Sequence, residues 1–159
     1  MIGEDQKTGI LLVEDDPKDI RLALHALKDG NLANHVEVVR DGEEALDYIF
    51  YRGTFASRSF LSHPQLILLD LKLPKIHGLQ VLQEIKSCPQ TKSIPVAILT
   101  SSREERDLVE SYRLGVNSFI QKPIDFEQFR QTIKALGYYW LVVNQAPPFS
   151  TFSPEGPAI

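Results

Sequence analysis

Four short, wholly apolar runs constrain this chain more than any other feature. Ile10-Leu11-Leu12-Val13, Leu66-Ile67-Leu68-Leu69 and Val96-Ala97-Ile98-Leu99 each read as a strand buried on both faces, and a fourth run spans Val116 to Ile120. Val36 to Val39 adds a second, shorter strand after the first. Segments of helical spacing lie between them: Ile20, Ala23, Leu24 and Leu27; then Ala45, Leu46, Ile49 and Phe50, opened by the capping-box pattern Asp41-Gly42-Glu43-Glu44. Leu79, Leu82 and Ile85 mark a helix that stops before Pro89, and Leu108, Val109 and Tyr112 follow Arg103-Glu104-Glu105. Gly115 suits a helix C-cap. A last helix starts near Asp125 with Phe126, Phe129, Ile133 and Leu136 on one face, while Arg52 to Pro64 is polar and aperiodic, hence a loop. Strands and helices that alternate five times give an α/β fold, a doubly wound parallel sheet covered on both faces. The flavodoxin-like strand order 2-1-3-4-5 is its common five-stranded form, with a ligand crevice between strands one and three.

Composition narrows the function classes. A chain of 159 residues fits one domain, and a net charge of -4 argues against a general nucleic-acid or anionic-membrane surface. The single Cys88 excludes an internal disulfide and any Cys-rich zinc site; it reads as an inert thiol beside Pro89. The opening Met1 to Lys7 has no apolar core of a leader, and the apolar runs are strand-sized, so a cytoplasmic protein is expected.

Chemistry gathers where the strands end. The first finishes in Glu14-Asp15-Asp16, the third in Asp70, the fourth in Thr100-Ser101-Ser102 and the fifth in Gln121-Lys122-Pro123. Carboxylates a few Å apart repel by roughly 1 kcal/mol per pair in water and more in a cleft, and a divalent cation relieves this. Oxygen-only ligands suit Mg²⁺, with Mn²⁺ or Ca²⁺ able to stand in. Asp70 could then attack phosphorus as a nucleophile, with Lys122 and the Thr100 hydroxyl balancing charge on the transferred group. Duller readings stand beside these. Asp16 before Pro17 has the form of an N-cap and N1 pair, leaving Glu14 and Asp15 for a metal or for a solvated turn. Ser101 and Ser102 have Glu104 and Glu105 three residues on and read as caps; Asp41 and Asp125 do too. Lys122 alone could be a surface lysine, and His25, His35, His63 and His77 lack ligand spacing.

Val13-Glu14-Asp15, Leu69-Asp70-Leu71-Lys72-Leu73-Pro74 with Gly78, Leu99-Thr100-Ser101 and Gln121-Lys122-Pro123 together resemble the CheY-like receiver domain of two-component response regulators, over roughly residues 8 to 137. The resemblance implies that Asp70 accepts a phosphoryl group from a sensor histidine kinase. It implies that Glu14, Asp15, Asp70 and the backbone carbonyl of Lys72 hold Mg²⁺, and that Thr100, Lys122 and the aromatic Phe119 act as phosphoryl-contacting and switch residues. Phosphorylation would then reshape the face formed by helix four, strand five and helix five. Phe119 equally fits ordinary strand packing. Two departures stand out: Glu14 where aspartate is more usual, and His77 where the family often has aspartate before the glycine.

The insertion from Arg52 to Pro64, the Leu-Pro-Lys turn and the tail Tyr138-Tyr139-Trp140-Leu141 are similar to small stand-alone regulators paired with bacterial phytochromes. That implies a phytochrome-type kinase as partner and no membrane or nucleic-acid target. Tyr138, Tyr139, Trp140 and Leu141 read as a homodimer contact, with capping of the chain's own core as the alternative. A receiver domain over residues 8–144 and a Pro-rich, flexible tail over 145–159 are the expected boundaries. Other classes fit less well. An aspartyl-nucleophile phosphatase needs a second acid two residues after Asp70, where Lys72 stands. No phosphate-cradling glycine loop occurs. A pseudo-receiver that never takes phosphate stays open as a pure interaction module.

Overall fold

The computed structural model describes residues 9–32, 36–58, 63–122 and 125–147. Strands β1 (Ile10–Val13), β2 (Val36–Val39), β3 (Leu66–Leu69), β4 (Val96–Thr100) and β5 (Ser118–Gln121) alternate with helices α1 (Pro17–Asp29), α2 (Gly42–Ile49), α3 (Gly78–Ser87), α4 (Glu105–Arg113) and α5 (Phe126–Tyr138). The sheet is parallel throughout, in the order β2-β1-β3-β4-β5. This is the expected doubly wound topology.

Alternation along the strands divides the core into two layers. Leu11, Val13, Ile67, Leu69, Val96 and Ile98 face α2 and α3, packing on Ala45, Leu46, Ile49, Val81, Leu82 and Ile85. Ile10, Leu12, Leu66, Leu68, Ala97 and Leu99 face α1 and α5, packing on Ile20, Ala23, Leu27, Phe129 and Ile133. The central strands β1, β3 and β4 are buried throughout, which is why their sequences carry no polar alternation. Each such side chain contributes about 1.5–3 kcal/mol of burial.

Register then sets where the strands stop. Val13 pairs with both Val39 and Leu69, so β1 and β3 end flush. Hydrogen bonding runs one residue further: Glu14 N donates to Val39 O at 3.1 Å, Asp70 N to Val13 O at 3.0 Å and Lys122 N to Thr100 O at 2.6 Å. Three candidate site residues are thereby anchored to the sheet itself.

Local signals performed as expected at most helix ends. Asp16 caps α1, accepting from Lys18 N at 2.8 Å with Pro17 at the first helical position. Asp41 accepts from Glu44 N at 2.7 Å, and Glu44 reaches back to Arg40 N rather than to Asp41 N. Asp125 caps α5. Gly115 follows α4 with φ of +100°, a left-handed backbone that glycine adopts without strain.

Two expectations need correcting, and two helices carry part of their apolar spacing outward. β5 starts at Ser118, because Val116 N is still bonded to Ser111 O in the turn that closes α4. α4 is capped at Glu104 without a side-chain bond; Ser102 instead braces its first turn through Asp107. Leu108, Val109 and Tyr112 give α4 its helical spacing, yet they face outward, and Ser111 is that helix's buried residue. Phe126 is likewise exposed while Phe129 and Ile133 are buried. α5 runs on into a π-helical turn, Tyr139–Val143, whose Asn144 N donates to Tyr139 O at 2.7 Å. His35, Pro123 and the chain beyond Pro147 lie outside the described residues. No helix among the described residues is long and apolar enough to cross a membrane.

Candidate functional site

The strand ends open into a cleft of about 630 Å³ lined by Glu14, Asp15, Asp19, Asp70, Lys72 and Lys122, with Leu22, Phe126 and Phe129 on its apolar wall. One carboxylate oxygen from each of Glu14, Asp15 and Asp70 lies within 4.8 Å of the others. Glu14 and Asp70 are buried and Asp15 is exposed, so the cluster opens to solvent on one side. Gly78 makes the close packing beneath it possible. A Cβ there would sit 2.3 Å from the Asp70 carbonyl oxygen, and Gly78 N donates to Leu71 O at 2.7 Å. His77, just before it, caps α3 by accepting from Leu79 N at Nδ1.

The charges are unevenly matched. Lys122 Nζ donates to Glu14 Oε2 at 2.7 Å and to Asp19 Oδ2 at 2.9 Å. Burial pushes Glu14 up to about 7, opposed by its bonds to Lys122 and reinforced by the charge of Asp70. Burial pulls the Lys122 ammonium down, but Glu14 and Asp19 outweigh it and hold the group above its ordinary value. Asp70 Oδ1 is buried without a hydrogen-bond partner among the described residues. An orphaned anionic oxygen facing two more carboxylates is a costly arrangement that a divalent cation would relieve. The donor set, oxygen only and partly open, fits such an ion.

Other expected residues take different places. Thr100 is fully buried, and its hydroxyl accepts from Ser102 N at 3.2 Å, while Ser101 reaches the cleft wall. Phe119 is half-buried and packs on the α2–α3 layer. Lys72 is exposed at the rim. Tyr138 and Tyr139 are exposed, together with Val142 and Val143, whereas Trp140 and Leu141 pack on the α1–α5 layer. Sequence reading overlooked Asp19. An acid in a helix's first turn is explained by the helix dipole alone, which hid its bond to Lys122.

Residues 10–134 match the response regulator receiver domain. The chain belongs to that family. Receiver domains of this kind serve two-component systems, and the relatives are signalling regulators. The chain is 39% identical over 139 residues to the "Probable methanogenesis regulatory protein FilR2" of Methanothrix harundinacea, covering 87% of this chain and 86% of that protein. To the response regulator Rcp1 of Synechocystis it is 38% identical over 138 residues, covering 87% and 92%. The Mn²⁺-bound structure of Rcp1 superposes with a TM-score of 0.78 at 37% identity, over 87% of this chain and 97% of that one. The phosphorylated cyanobacterial phytochrome response regulator RcpA gives a TM-score of 0.80 at 43% identity, over 89% and 99%.

Proposed function

We propose that this receiver is a phosphoryl-accepting signalling switch whose acceptor is Asp70. The observation that carries the reading is the buried, unpartnered Asp70 Oδ1, set against Glu14 and Asp15 with an ammonium on the same cleft. In the transfer, a carboxylate oxygen of Asp70 bonds to phosphorus while the P–N bond of a phosphohistidine breaks, and the freed imidazole keeps the electron pair and takes a proton. Glu14, Asp15, Asp70 and the Lys72 carbonyl would hold Mg²⁺, which when bound supplies positive charge against the phosphoryl oxygens. Lys122 leaves its carboxylate partners for the acyl phosphate. Thr100 exchanges its bond to Ser102 N for a phosphoryl oxygen, opening space beneath β4 into which Phe119 turns. The exposed Leu108, Val109 and Tyr112 of α4 are the surface that this change presents to a target. By this reading the domain assists its own phosphorylation and dephosphorylation and turns over no metabolite.

The donor is a sensor histidine kinase, and the likeness to RcpA supports one of phytochrome type. The exposed Tyr138 and Tyr139, flanked by Val142 and Val143, form the face of a homodimer, with Trp140 and Leu141 bracing it from within. The receiver unit spans residues 8–144, with the Pro-rich stretch 145–159 outside it.

Intact-mass analysis after incubation with a small-molecule phosphodonor tests the central step. One added phosphoryl group is expected with Mg²⁺, none with chelator, and none in Asp70→Asn. Absence of the adduct together with absence of metal-dependent beryllofluoride binding would leave a pseudo-receiver. Equal phosphotransfer from unrelated sensor kinases would remove the phytochrome pairing. For the dimer, Tyr138→Ser/Tyr139→Ser should halve the mass in solution, and an unchanged mass would clear the tail of that role.

A further inference from the structure

Both oxygens of Glu14 are already engaged. Oε1 accepts from Asp16 N at 3.2 Å and Oε2 from Lys122 Nζ at 2.7 Å. A cation shared by Glu14, Asp15 and Asp70 must therefore compete with an ammonium for the same carboxylate, and the two positive charges repel across a partly buried cleft. Asp19 offers the ammonium another place. It stands in the first turn of α1, outside the cluster of three acids, and already accepts from Lys122 Nζ at 2.9 Å. We propose that Asp19 is a positioning residue that takes over the Lys122 ammonium when a divalent cation occupies Glu14, so that ion binding and lysine release are a single exchange. This rests on the cation reading given above and assigns to α1 a part in it.

Asp19 acts through Lys122, so its effect must depend on that lysine. Without Asp19 the ammonium falls wholly on Glu14 and the ion has to displace it. Without Lys122 there is nothing for Asp19 to hold.

A double-mutant cycle read by Mn²⁺ binding tests this, with free Mn²⁺ measured by electron paramagnetic resonance. Asp19→Asn should weaken Mn²⁺ binding about fivefold or more in the parent, and less than about twofold in a Lys122→Met background. Asp19→Glu, which keeps the acceptor, should restore binding. If the methionine variant does not fold, Lys122→Gln serves as the background. Equal losses with and without Lys122 would make Asp19 a plain long-range charge and overturn the inference while sparing the cation site. No loss in the parent would overturn it too. Failure of the parent to bind Mn²⁺ would instead bring down the cation reading itself, and this inference with it.

Discussion

Two half-buried lysines sit at opposite ends of the sheet, and they live in opposite electrical surroundings. Lys122, at the carboxyl ends of the strands, faces Glu14 and Asp19. Lys86, on α3 beside the amino ends of β4 and β5, donates to Lys92 O at 3.1 Å, Ile94 O at 2.9 Å and Asn117 Oδ1 at 3.2 Å, all neutral. Burial holds Lys86 down to about 8, whereas the carboxylates hold Lys122 up. Neutral carbonyls fixed in a turn can only staple an amine in place. Carboxylates, by contrast, are ligands that also suit a cation. One end of the sheet holds its lysine with neutral acceptors, the other with carboxylates.

The largest effects should separate the two ends by function. Asp70→Asn should abolish the phosphoryl adduct entirely, and yet raise the melting temperature, because it removes one of three mutually repelling carboxylates; a lower melting temperature would show that the acid cluster is already neutralised. Next, Lys86→Met should cost about 1–3 kcal/mol of stability in urea titrations by stranding the part-buried Ile94 carbonyl, with Mn²⁺ binding unchanged. A loss of Mn²⁺ affinity in that variant would break the division between the two ends.

Alkaline stability offers a finer test. Between about 8 and the ordinary 10.5 the unfolded chain carries a proton on Lys86 that the folded chain has shed, so unfolding free energy gained from this group rises with pH across that window. Lys122 has the reverse sign. Its folded value is raised, so its stabilising contribution is complete below 10.5 and is lost as pH climbs past the folded value. Parent-minus-variant stability curves for Lys86→Met and Lys122→Met should therefore slope in opposite directions. Parallel curves would end the comparison. The smallest effect belongs to Asn117→Ala, which removes an acceptor for Val96 N at 2.9 Å and for Lys86, and should cost about 1 kcal/mol.

The strands, the helices and the caps at Asp16, Asp41 and Asp125 were legible because they are local. An all-apolar run needs burial on both faces, and an aspartate three residues before a helical donor meets it whatever the rest of the chain does, as at Asp41 and Glu44. The acid cluster was legible one step further on, since a parallel sheet must bring the ends of β1 and β3 together. α4 shows where this stops. Leu108, Val109 and Tyr112 have helical spacing, and spacing names a face without naming what covers it. In the tail, continuous aromatic composition concealed a division, Trp140 and Leu141 inward and Tyr138 and Tyr139 outward.

By itself, the sequence determined five strands, their order and the end of the sheet at which chemistry could sit, because period, caps and crossover handedness act over a few residues or through general rules. Tertiary structure alone decided that Lys122 bonds Glu14 and Asp19, 108 and 103 residues away, and that Thr100 turns its hydroxyl to Ser102 N. Such partners are chosen by where side chains of a few ångströms' reach land after the sheet has closed, and no pattern along the chain records that distance.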